Sequence, residues 1–174
     1  MGEYSASVAC LAEGSAEQAV MDILLDNDLL IFDRRDLIDE KVLRFRSAEK
    51  FEQRYLRKSF SGQITVYRIL DSRRENFRIS KAYRHQVKVV NIITAPEIEM
   101  LIILSENQYD AFKKSGQKPS EFCKGTLRYK NVKTYDFVKA YFSNPAVLTE
   151  AIRKYVSVSR IPKGEGTLQD LLRD

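Results

Sequence analysis

Glu13, Asp71 and the pair Glu97 and Glu99 each follow closely on an apolar run, at residues 5–12 (SASVACLA), 64–70 (ITVYRIL) and 87–93 (VKVVNII). If those runs are parallel strands of one sheet, their carboxyl ends share an edge, and acids from distant parts of the chain meet there. Carboxylates held a few ångströms apart repel one another, and a bound Mg²⁺ or Mn²⁺ relieves that repulsion. A divalent ion held by oxygens polarises a phosphodiester and activates water. The same positions also have a purely structural use, because Asp and Glu after a strand are ordinary N-caps and first-turn residues that favour the helix dipole. Glu99 fits that use least well. It lies in PEIEMLIIL, a segment apolar on nearly every side, where a carboxylate needs a cation, N–H donors or an opening to solvent.

The elements that must position these acids follow from the pattern of the chain. After the first apolar run comes Glu13-Gly14-Ser15, with Ser15 as N-cap and Gln18 completing a capping-box pattern for a helix over 16–25. Residues 29–32 form a second strand-length apolar run, and 33–47 are too mixed to assign. The spacing predicts an amphipathic helix over 48–58, a third strand over 64–70, a basic crossover helix within 72–86 and a fourth strand over 87–93. Pro96 is expected at the first position of the central helix, where its missing N–H is harmless. This alternation predicts an α/β fold with a mostly parallel central sheet flanked by helices. Beyond residue 105 the strand signal fades, and helices are expected over 134–142, 144–158 and 167–172. The expected organisation is an α/β domain over 1–115 with a basic helical C-terminal extension over 116–174 packed on it.

Charge is unevenly shared. The net charge is +5, but residues 113–163 alone carry twelve Lys or Arg against three acids, leaving the rest of the chain at −4. A basic, tyrosine-rich part joined to an acidic one points to a polyanionic partner handled near carboxylates. Lys124, Arg128, Lys130, Lys133 and Lys139, interleaved with Tyr129, Tyr135 and Tyr141, mix cations with stacking surfaces as nucleic-acid grooves do. They equally describe a solvated helical surface whose tyrosines pack on a core. His85 is the single histidine, next to Arg84 before a strand, and reads as a surface residue. No Ser/His/Asp or Cys/His arrangement can be built without it, which argues against nucleophilic hydrolases. Cys10 and Cys123 make no metal-ligand spacing and read as reduced thiols used as small side chains. No leader peptide or membrane span is apparent, so a cytoplasmic protein is expected.

Glu13-Gly14-Ser15-Ala16-Glu17 after an apolar strand resembles the EG-x-x-E opening of Toprim domains, in particular the small bacterial proteins grouped with RloB and the OLD nucleases. Asp71 after ITVYRIL resembles the first acid of their Asp-x-Asp motif. Residues 95–103 (APEIEMLII) resemble the P-x-x-E-x-W/L-L-L segment of the RloB-like group, with Glu99 on the motif acid. The resemblance covers roughly residues 5–105 and, more loosely, the basic tail. It implies Mg²⁺- or Mn²⁺-dependent phosphodiester chemistry on nucleic acid, in bacterial defence against phage, with an ATPase from the same operon as a protein partner. Carried over by position, Glu13 is a metal ligand or general acid/base and Asp71 a metal ligand. Glu99 is a further ligand or the organiser of the site, with Glu97 beside it.

The sequence departs from that family at one place. Where the second acid of Asp-x-Asp is expected stands Arg73. Either Arg73 neutralises Glu13 or Asp71 and leaves an inactive module that binds nucleic acid or a partner protein, or Arg73 and Arg74 face substrate phosphate while Glu97, Glu99 or Glu75 completes the metal shell.

Overall fold

The computed structural model describes residues 7–57 and 62–174. Four strands form one all-parallel sheet: β1 (Val8–Ala12), β2 (Leu37–Leu43), β3 (Ile64–Leu70) and β4 (Val87–Ile93), in the order β2-β1-β3-β4. Among the described residues seven α-helices flank it, so the α/β fold with a mostly parallel sheet is the observed one. The strand expected over 5–12 is seen from Val8; Ser5 and Ala6 lie outside the described residues, as does Lys58 at the end of the expected 48–58 helix.

Alternation along the strands feeds two cores. On β1, Val8, Cys10 and Ala12 face one way and Ala9 and Leu11 the other. The larger core is built with α1 (Ser15–Asp26), α3 (Met100–Ser105), α5 (Pro119–Gly125), α6 (Tyr135–Tyr141) and α7 (Pro145–Val158). Phe122, Val138, Leu148 and Ile152 from the C-terminal part belong to the same buried cluster as Cys10, Leu24 and Ile103. The smaller core lies on the opposite face, under α2 (Ala48–Phe51) and the π-helical turn Glu52–Leu56 that continues it. Residues 76–86 cover the rest of that face without forming the expected helix: Phe77 and Ile79 are buried at a spacing of two, and 81–86 are turns.

The second strand is not the expected one. Residues 29–31 are held by the C-terminus, with Ile31 N–H donating to Leu171 O at 2.9 Å and Arg173 N–H to Leu29 O at 2.8 Å. The partner of β1 on this side is β2, which comes from the mixed stretch 33–47. Its pairing jumps from Val8↔Leu37 to Cys10↔Val42, so β2 bulges by three residues there, and Asp39 and Glu40 take left-handed conformations (φ 56° and 52°). That bulge destroys the period-two alternation by which a strand is recognised.

The central helix also starts later than expected. The Ala95–Pro96 bond is cis, and regular helix begins at Met100, with Met100–Leu104 buried on all sides. Tyr155 of α7 donates from its hydroxyl to Ala95 O at 2.8 Å and so anchors the turn that carries Glu97 and Glu99. A short C-terminal segment, 162–166, runs beside β4 and bridges it at Ile92↔Gly166. Among the described residues no helix is long and apolar enough to cross a membrane.

Candidate functional site

β1 and β3 are neighbours in register, with Ala12 opposite Ile69, so the residues that follow them emerge side by side. Glu13 N–H continues the ladder to Ile69 O at 3.2 Å, and Asp71 N–H donates to Glu13 Oε2 at 3.4 Å. The end of β4 is tied to the same place, because Thr94 gives Leu70 O both its N–H (2.8 Å) and its hydroxyl (3.2 Å). From there the 95–99 turn brings Glu99 back toward the ends of β1 and β3. Glu13, Asp71 and Glu99 line one small cavity of about 210 Å³.

A fourth carboxylate joins them. Glu17, in the first turn of α1, is buried and folds back over the strand-to-helix turn. A Cβ at Gly14 would lie 2.6 Å from Glu17 Oε2, so glycine is needed here for space. Two cations complete the lining. Arg46 reaches it from the loop after β2, where Arg44 also donates to Ser15 Oγ at 3.1 Å. Lys133 reaches it from the loop before α6, and its side chain is half exposed, so the cavity opens to solvent on that side.

The electrostatics are those of an over-populated acidic site. Burial raises Glu13 above the ordinary carboxylate range and the Asp71 charge adds to it, while the Asp71 N–H pulls the other way. Burial raises Glu17, its own N–H opposes this, and Asp71 and Glu13 reinforce it. Glu99 is pushed up to about 7, chiefly by burial, against the opposing pull of its own N–H and Lys133. Among the described residues no other group donates a hydrogen bond to its carboxylate, and its residue surface is 2% exposed. Lys133 is raised: burial lowers it, but Glu99, Glu97 and Asp71 outweigh that.

Other residues singled out by sequence go elsewhere. Glu97 is taken up structurally, accepting from Ser120 N–H of α5 at 2.8 Å and from Lys133 Nζ at 3.2 Å. Burial pushes it up, but these donors hold it below the ordinary range. Arg73 neither closes the acidic cavity nor faces it; its guanidinium pairs with Glu165, Nη2 to Oε1 at 2.7 Å. Glu75 pairs with Arg68, a guanidinium buried behind β3 over the Phe77 ring, 4.6 Å from its centroid. Arg74, Lys124, Arg128 and Lys130 are exposed, and so is His85. Cys10 and Cys123 are buried free thiols, each raised by burial to about 12.

Neither Glu17 nor Arg46 is among the site residues expected from sequence. Glu17 carried a signal, a carboxylate three residues after a glycine on the helix face that includes Ala16 and Val20. Arg46 carried none, since 33–47 shows no periodicity.

The cavity suits an ion with its waters better than an organic ligand, whose sites run to roughly 300–1,000 Å³. Its donors are hard oxygens, as Mg²⁺ and Mn²⁺ prefer. Among the described residues no three His, Cys, Asp or Glu stand close enough to form a ready-made metal cluster. Mg²⁺ does not require one, because it commonly takes one or two carboxylates and keeps several waters or phosphate oxygens. Glu13 and Asp71 are the pair that fits. A larger cavity, about 800 Å³ along the outer edge of β4, is a poorer candidate, because its carboxylates are engaged: Glu165 by Arg73, and Asp170 by the N–H and hydroxyl of Thr167. Comparison with protein-family models, curated proteins and solved structures gave no match.

Proposed function

We propose that this chain is a Toprim-like protein that processes phosphodiester bonds of nucleic acid with Mg²⁺ or Mn²⁺, acting in the cytoplasm in defence against phage beside an ATPase partner. The observation that supports this reading is the convergence of Glu13, Asp71 and Glu99 on one small, oxygen-lined cavity at the carboxyl ends of β1 and β3. A divalent ion held by Glu13 and Asp71 would polarise the phosphodiester and make a water acidic enough to attack. Glu13, held above the usual carboxylate range, is the proton acceptor or donor of the set. Arg46 and Lys133 at the mouth neutralise phosphate charge, and Glu17 and Glu99 complete the acidic wall. Glu13→Ala is expected to abolish Mn²⁺-dependent cleavage of DNA or RNA; cleavage retained in that variant removes the mechanism.

A second reading, a non-catalytic module that binds nucleic acid or a partner protein, is favoured by one observation. Lys133 is a covalently attached cation among the acids, and can offset their charge without metal. This reading predicts salt-sensitive binding that chelator does not alter. A mobility-shift titration at two salt concentrations, with and without EDTA, separates the two.

A further inference from the structure

A second groove opens beside the ends of β3 and β4, lined by residues that follow both strands. Arg73, two residues beyond Asp71, lines it together with Ala95 and Pro96. Its volume is about 470 Å³, within the range of organic-ligand sites. Tyr109 and Phe112 of α4 (Tyr109–Ser115) form the far wall, half-buried, so part of each ring remains open to the groove. Tyr109 is fixed in place by its hydroxyl, which donates to Val158 O at 3.1 Å.

The charged side chains that line this groove are of one sign. Among the described residues Arg73, Lys113 and Arg160 line it and no carboxylate does. Arg73 is held by Glu165, whereas Lys113 and Arg160 are exposed and have no acidic partner among the described residues. Lys113 Nζ lies over one face of the Tyr109 ring, 5.6 Å from its centroid, and its long flexible side chain can leave that face to pair with a phosphate when a base stacks there. A flat π-face beside a point charge is what a base and its phosphate need, and such stacking is indifferent to sequence.

We propose that this groove seats one nucleotide of a single-stranded nucleic acid, its base against Tyr109 and Phe112 and its phosphates on Lys113 and Arg160, so that the strand runs across the strand ends to the acidic cavity. This rests on the reading that nucleic acid is the partner, but not on whether the acids cleave it.

The test uses the full chain with EDTA present, so that no chemistry intervenes. A fluorescein-labelled single strand carrying 5-iodouracil is bound, irradiated, and the cross-linked residue identified by mass spectrometry; in parallel, binding of the same strand is titrated for wild type and Lys113→Glu/Arg160→Glu. Cross-links are expected at Tyr109 or Phe112. The double variant, with both changes on exposed side chains, is expected to bind at least tenfold more weakly and to lose roughly 1.4 from the slope of log affinity against log salt, two phosphate contacts at about 0.7 each. An abasic strand of equal length is expected to bind wild type more weakly than the normal strand. Cross-links confined to the Lys124, Arg128 and Lys130 surface, unchanged binding by the double variant, or no binding of single strands at all would each overturn the proposal. A strand bound and cross-linked as expected, with no Mn²⁺-dependent cleavage, would support the groove while counting against the catalytic reading.

Discussion

The carboxylate of Glu17 occupies the space that a side chain at Gly14 would need, its Oε2 2.6 Å from the position of a Cβ there. The backbone at Gly14 is extended (φ −133°, ψ −177°), a conformation open to any residue. Glycine at this position therefore serves the carboxylate and not the turn. Gly14→Ala is expected to cost about 1 kcal/mol or less of folding stability, because the displaced atoms are the end of a flexible chain. Mn²⁺ binding, measured by calorimetry, is expected to weaken by tenfold or more. Unchanged binding would place Glu17 outside the site.

Glu99 makes the metal-free protein sensitive to pH in a defined direction. Its carboxyl is raised from 4.5 to about 7 in the folded state, so between those values the folded chain holds a proton that the unfolded chain has released. Stability that is present at pH 4.5 is lost as pH rises toward 7, by up to about 3 kcal/mol for this group. Glu13 and Glu17 act in the same sense. Urea unfolding in EDTA at pH 5 and pH 8 is expected to show wild type losing stability with rising pH. Glu99→Gln is expected to reduce that loss, and an equal loss in both proteins would show that Glu99 is not held protonated.

Lys133 and a bound ion compete for the same negative charge. Lys133→Met removes the attached cation while keeping a side chain of similar length, and is expected to tighten Mn²⁺ binding several-fold. The same variant should weaken binding of a phosphodiester substrate, since Lys133 lies at the mouth. Weaker Mn²⁺ binding in Lys133→Met would contradict the opposition between lysine and metal.

Arg68 is a buried cation whose removal leaves its partner alone. Its guanidinium is stacked over Phe77 and paired with Glu75 at 3.4 Å; burial lowers its pKa despite the opposing effect of Glu75 and Glu13. Arg68→Ala is expected to cost about 3 kcal/mol, the lower end for a broken buried pair, because Glu75 keeps some access to water. Arg68→Met, which retains packing against Phe77, should cost less. Chemical denaturation of both variants checks the order.

Three of the four strands are legible because each is a mainly apolar stretch of strand length flanked by turn residues. β2 was hidden by its own bulge, since Asp39, Glu40 and Lys41 interrupt what would otherwise read as a strand. Residues 29–32 look like a strand because Leu30 and Phe32 are buried at a spacing of two while Ile31 is exposed, but the C-terminal residues 171–173 pair with them instead of the sheet. Phe77 and Ile79 misled in the opposite way, as extended residues in a basic stretch of helical composition. Within the site, parallel strand order alone explains why Glu13 and Asp71 lie together. The fates of Arg73 and Glu97 depended on partners 92 and 23 residues away, Glu165 and Ser120, and partner choice at such separations leaves no trace in local pattern.

The short segment that ends at Gly166 has a further effect. Ile93 N–H donates to Gly166 O at 2.9 Å, and a Cβ at Gly166 would stand 2.8 Å from both Asn91 O and Ile92 Cδ1. Only a residue without a side chain can lie so close against β4, and it covers unpaired backbone groups that would otherwise recruit a strand from another molecule. Lys88, exposed near the opposite end of β4, discourages the same encounter by its charge. A bulky residue at 166 would therefore be felt first in the test tube as clumping of the protein at high concentration.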